Sequence, residues 1–76
     1  MPGDPELIAL GRRIRRLRQA RALSIEALAY KAGMSAGHLG RIERGHGDPR
    51  LETLFGLSKA LGVTFGDLMC VPEGEA

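Results

Sequence analysis

Tryptophan is absent from this 76-residue chain, cysteine occurs once, and Phe and Tyr together supply three residues. So few aromatics disfavour a β-sandwich, whose strands draw on aromatic and β-branched side chains. A core here has to be built mainly from Leu, Ile, Val and Ala, which favours helices. The single thiol, Cys70, excludes an intramolecular disulfide, and no basic-then-apolar leader opens the chain, so a cytoplasmic protein is expected. No apolar run approaches the roughly 18 residues that span a bilayer, so no membrane partner is expected. Nothing alternates as a strand, and no repeat is visible. Also missing are a nucleophile with its base and orienting group, a glycine-rich loop following a strand, and ligand spacing for a metal: His38 and His46 have no cysteine or acid at the right separations. Gly45-His46-Gly47 reads as a turn. An enzyme is therefore not expected, nor a metal, a cofactor or a small-molecule ligand.

What the chain does have is charge, unevenly placed. The net charge is +2. Between Leu10 and Arg50 stand ten Lys and Arg against three acids, whereas the remainder sets Lys59 against six acids. One part of the molecule should be basic and another acidic, and a basic face on a small domain suggests nucleic acid as partner. The bland reading of the first-helix arginines, Arg12, Arg13, Arg15 and Arg16, is a solvated face. Cys70 reads as an inert thiol near a packed terminus.

Helical punctuation runs through the chain. Asp4-Pro5-Glu6 supplies an N-cap, a proline at the first helical position and an acid in the first turn, and Leu7, Leu10, Ile14 and Leu17 follow as one apolar stripe. A helix is expected over about 5–20, with Gly11 costing it about 1 kcal/mol relative to Ala. Ser24 opens a short helix with Leu28 and Ala29 inward, ending near Gly33. Ser35 caps a third with Leu39 and Ile42 inward, stopping at Gly45. After the turn His46-Gly47-Asp48-Pro49, a fourth helix is expected from about 50 to 61, with Leu51, Leu54, Leu57 or Ser58, and Leu61 as its stripe and Gly62 as its stop. Thr64 and Asp67 resemble a capping box for a last helix reaching about Met69. The expected architecture is all-α: a compact five-helix unit over residues 5–70, between tails at 1–4 and 71–76.

The two short helices, at 25–31 and 35–44, are the informative part. Two helices joined by three or four residues including glycine form a helix-turn-helix unit. Ala29 has to be small where the second helix crosses it, and Gly33 supplies the positive φ of the turn. Leu28, Leu39 and Ile42 pack the pair together.

Residues 10–69 resemble the lambda-repressor/Cro family of DNA-binding domains, the XRE type. The likeness rests on LA at 28–29, AG at 32–33, RIERG at 41–45, Pro49, LETL at 51–54 and ALGV at 60–63. Small free-standing regulators such as restriction-modification controller proteins are similar in length. The resemblance implies a domain whose third helix enters the major groove of double-stranded DNA, as a homodimer on a palindromic operator, regulating transcription. It pairs Arg18 with Glu43 in a buried ion pair, and it places Ser24 where a cap and a phosphate contact coincide. Arg41 falls where a side chain reaches base edges, and Arg50 where one reaches the backbone. Ser35, Ala36, Gly37, His38 and Arg44 complete the expected DNA surface. Val63, Phe65, Leu68 and Met69 are expected both to cap the core and to make a dimer contact.

The chain departs from the family at two places. Ile25 stands where many members carry a phosphate-binding glutamine, and Ala36 and Gly37 occupy reading positions without a hydrogen-bonding side chain. Base readout is thereby left to Arg41, His38 and a methyl contact from Ala36, with specificity shared by DNA shape. That thin code keeps a second reading open: an antitoxin-like protein-interaction module whose DNA binding is secondary.

Overall fold

The computed structural model describes residues 4–70. Over that span the chain forms five helices and no strand: α1 (Pro5–Ala20), α2 (Ile25–Ala32), α3 (Ala36–Glu43), α4 (Leu51–Leu61) and α5 (Phe65–Met69). Of the expected tails, residues 1–3 and 71–76 lie outside the described residues, and Asp4 is the N-cap of α1. No described helix is long and apolar enough to cross a membrane.

The starts of α2, α3 and α5 follow the sequence closely because each cap is a local hydrogen bond. Ser24 Oγ accepts the Ala27 amide at 3.0 Å, Ser35 Oγ that of His38 at 3.1 Å, and Thr64 Oγ1 that of Asp67 at 2.9 Å. The ends follow a second local rule. Gly33 has φ 73°, with its amide on the Tyr30 carbonyl and the Met34 amide on that of Ala29, the paired bonds of a Schellman motif. The same pairing recurs at Gly45 and Gly62. At the end of α1 it recurs without glycine: Ala22 takes φ 54° while the Leu23 amide reaches back to the Arg18 carbonyl.

The core joins all five helices through Leu10, Ile14, Leu28, Ala29, Leu39, Ile42, Leu54, Leu57, Leu61 and Leu68. Each fully buried Leu or Ile contributes about 1.5–3 kcal/mol from removal of apolar surface from water. Aromatic rings are not needed because the helices approach closely at small residues. A Cβ on Gly11 would collide with the Ile42 carbonyl oxygen and come within 2.7 Å of that of Glu43, so α1 lies directly on the backbone of α3. At Gly56 a Cβ would stand 3.0 Å from the Ala32 carbonyl oxygen, which sets α4 against α2.

Two apolar positions differ from the expected pattern. Leu51, expected in the inward stripe of α4, is 60% exposed. Leu54, Leu57, Ser58 and Leu61 share the inward face, and at 100° per residue Leu51 falls with Phe55 on the helix's edge. Leu68 is wholly enclosed within the chain's own core, so of the two roles expected of it only the core role has its side chain in place.

Candidate nucleic-acid interface

The turn at Gly33 sets α3 across α2, with Leu28 and Ala29 of the first helix against Leu39 and Ile42 of the second. With Leu39 and Ile42 committed inward, positions 37, 40, 41 and 44 share the opposite face of α3. That face carries two glycines and two arginines. A Cβ on Gly37 would meet nothing within 4 Å, so the amino-terminal half of the helix offers bare backbone. Cationic groups are confined to the carboxyl-terminal half, where Arg41 and Arg44 are both exposed.

Neither arginine extends straight outward. Arg41 Nη2 lies 3.9 Å from where a Cβ on Gly47 would stand, so its guanidinium leans over the loop after α3, whose own geometry is set by the His46 amide bonding to the Arg41 carbonyl at 2.9 Å. Arg44 folds the other way, with Nη1 3.2 Å and Cζ 4.0 Å from a Cβ position on Gly40, beside Ile25 Cδ1 at 3.6 Å from that point. His38, in the first turn of α3, and His46, in the loop after it, are both exposed.

The other residues expected to meet DNA stand at the starts of helices. Ser24 and Ser35 are exposed at the starts of α2 and α3. Each hydroxyl oxygen is occupied as an acceptor by a backbone amide, which leaves its O–H to donate to an anion. Ala36 is half-buried against the core, so little of its methyl group is presented. Arg50 precedes α4 and offers no side-chain cap to it; its head group is 83% exposed and stands 3.9 Å from Glu52, a pairing that solvent screens to little value.

Arg18 and Glu43 are held for structure. Arg18 Nε and Nη2 donate to the two carboxylate oxygens at 2.7 and 3.0 Å, and Nη1 donates to the Leu23 carbonyl at 3.0 Å. The guanidinium thus ties α1, α3 and the loop before α2 into one unit. The hydrogen bonds that Arg18 donates to Glu43 raise its pKa above the ordinary value, against the opposing effect of burial.

Sequence reasoning missed three roles. Arg13, expected among solvated arginines, donates to the Asp67 carbonyl at 2.8 Å and fastens α5 to α1. Arg21 donates to the carbonyls of Leu61 and Leu17, fastening the end of α4. Backbone acceptors carry no sequence signal, so neither was readable. The third is an apolar patch wider than the expected Val63, Phe65 and Met69. Phe55 packs its ring on Phe65 at 4.6 Å between centroids, and Leu51, Phe55 and Met69 are 60, 44 and 40% exposed. The signal existed: Leu51 and Phe55 are four apart in a helix whose inward stripe was already full. Cys70 is exposed beside this patch in sequence, and the described residues contain no cluster of metal-ligating side chains.

Comparison with known proteins gives this geometry its family. The helix-turn-helix family HTH_3 matches residues 14–68. Among curated relatives, the transcriptional regulator DdrOP3 of Deinococcus deserti is 42% identical over 57 residues, covering 75% of this chain and 44% of that protein. The regulator SutR of Escherichia coli is 35% identical over 60 residues, 79% of this chain and 34% of its own length. The chain spans less than half the length of these two relatives. Among solved structures, the restriction-modification controller protein C.AhdI from Aeromonas hydrophila superposes with a TM-score of 0.84 at 34% identity, covering 86% of this chain and 98% of that one. SinR, solved in complex with DNA, superposes at 0.75 with 32% identity, over 80% and 98% of the two chains. The chain belongs to the HTH_3 (XRE-type) helix-turn-helix family, which its relatives represent as transcriptional regulators.

Proposed function

We propose that the chain is a sequence-specific double-stranded DNA-binding regulator of transcription, acting in the cytoplasm as a homodimer with α3 in the major groove of each half-site. The observation that carries this reading is the outward face of α3. It carries no apolar α3 side chain, has the bare backbone of Gly37 near its amino-terminal end and Arg41 and Arg44 beyond, and the chain adds exposed Ser24 and Ser35 hydroxyls and an exposed Arg50. Bare backbone lets the helix approach base edges closely. The serines and Arg50 are suited to phosphate oxygens, which fix register without reading sequence. Reading then falls to Arg41, bidentate to guanine O6 and N7 once it leaves the loop, together with His38. The restriction-modification controller C.AhdI and the DNA-bound SinR, both similar over most of their length, support the same assignment.

We assign the homodimer contact to the α4–α5 patch of exposed Leu51, Phe55 and Met69 with Phe65 half-buried against Phe55, an apolar surface of the kind that a second copy covers. A palindromic operator follows from that two-fold symmetry, with half-site centres about 34 Å apart, one helical turn. The same patch is the specific observation behind the second reading, in which it grips a different protein and DNA binding is secondary.

Titration of the purified protein onto duplex DNA at several salt concentrations separates the two. Each phosphate contact contributes about −0.9 to the slope of log affinity against log salt. A slope of several such units is expected, and a flat line would reject the DNA reading in favour of the protein partner.

A further inference from the structure

We propose that Gly40 is a positioning residue: lacking a side chain, it leaves a space on α3 that the Arg44 guanidinium covers together with Ile25, setting that guanidinium as a phosphate-binding cation of the recognition surface. The proposal rests on the DNA-binding reading above and goes beyond it, since it assigns a cause to a glycine that helix propensity disfavours.

Gly40 lies in the middle of an eight-residue helix, where glycine is the poorest choice after proline. Unlike Gly11, it is not required by a neighbouring helix: the atoms around its Cβ position belong to two side chains, Arg44 and Ile25. Unlike Gly37, whose Cβ direction is open, Gly40 is buried, and these two side chains are what cover it. A methyl group there would stand 3.2 Å from Arg44 Nη1, closer than the roughly 3.5–4.0 Å of ordinary contact. The end of a long, exposed side chain yields easily, so a methyl group would push the guanidinium a few tenths of an ångström off this position rather than distort the fold.

That placement has a chemical consequence. Ile25, at the start of α2, cannot itself hydrogen-bond to an anion through its side chain. The Arg44 head group, which covers Gly40 as Ile25 does, supplies a planar, permanently charged donor there. An arginine whose stem already folds back over its own helix loses less rotamer freedom on meeting phosphate than one moving freely in solvent. Gly40 and Ile25 therefore act through Arg44, and neither needs to touch DNA.

The test compares wild type, Gly40→Ala, Arg44→Ala and the double variant, measuring melting temperature and affinity for a random-sequence duplex across salt concentrations. Phosphate contacts are sequence-independent, so a random duplex suffices. For Gly40→Ala the two readouts are expected to move in opposite senses. Its melting temperature rises by about 4–8 °C as helix propensity improves. Its affinity falls about three- to tenfold, and the salt slope becomes shallower by up to about 0.9. In the Arg44→Ala background the same glycine change is expected to leave affinity unaltered. A Gly40→Ala protein that binds with wild-type affinity and slope overturns the proposal while leaving DNA binding intact, and so do losses that multiply in the double variant. A wild-type protein with no salt-dependent binding overturns the DNA reading and this proposal together.

Discussion

At the scale of single residues, the Arg18–Glu43 pair shows most clearly how charge is used for architecture. Side-chain exposures of 13 and 6% place both groups largely out of water, where an ion pair is favourable only if its geometry is complete. Here it is complete: both carboxylate oxygens and three guanidinium nitrogens are engaged. Because the Arg18 pKa is raised, its contribution is fully present below the ordinary guanidinium range and is lost only as pH climbs beyond it. Glu43→Ala is expected to destabilise the fold by about 3–5 kcal/mol in urea unfolding, since it strands the arginine. Replacing both residues by leucine or methionine should recover most of that loss. Equal losses in the single and double variants would mean that the carboxylate matters for some reason other than pairing. Sequence spacing could not have paired residues 25 apart; the family resemblance paired them. The backbone partners of Arg13 and Arg21 were beyond both routes, because a carbonyl's availability is decided by the fold.

At the scale of elements, the helices were legible because their boundaries are written in capping chemistry that acts over three or four residues. Ser24, Ser35 and Thr64 start helices, and Gly33, Gly45 and Gly62 stop them. Where a stop lacks glycine, the rule leaves a strained residue: Ala22 holds φ 54° in a motif that glycine occupies elsewhere in the chain. An L-residue there costs about 1–2 kcal/mol, partly offset by glycine's greater entropy when unfolded. Ala22→Gly is accordingly expected to stabilise the protein by about 0.5–1 kcal/mol, seen as a raised melting temperature; a fall would show that the strain is relieved in some other way. Gly11 gives the opposite case. From sequence it looked like a flaw costing α1 about 1 kcal/mol, since propensity counts only the helix itself. In the fold its missing Cβ is what admits the Ile42 and Glu43 carbonyls. Gly11→Ala is expected to cost about 1–3 kcal/mol despite better propensity, because backbone cannot step aside as a side chain end can. A more stable Gly11→Ala protein would contradict the close contact between α1 and α3.

At the scale of the whole molecule, two surfaces stand out among the described residues: the basic helix-turn-helix face and the apolar α4–α5 patch. The first was legible as a place, since charge distribution and motif spacing converge on residues 24–50. It was not legible as geometry, since the leaning of Arg41 over Gly47 and the seating of Arg44 over Gly40 depend on rotamers. The second was half legible: the last helix pointed to it, whereas Leu51 and Phe55 were hidden by the assumption that every leucine on α4 faces the core. If that patch joins two copies, Phe55→Asp should shift sedimentation from dimer to monomer at micromolar concentration, with the fold retained by circular dichroism. An unchanged sedimentation coefficient would move the contact elsewhere.

Dimerisation and base reading meet in one experiment, selection by the purified protein from a random duplex library at about 150 mM salt, where only contacts within about 8 Å escape screening. The expected result is an inverted repeat with half-site centres about one helical turn apart, and loss of preference at one base pair per half-site when Arg41→Ala replaces the wild type. Duplexes retained without any enriched sequence would contradict sequence-specific regulation.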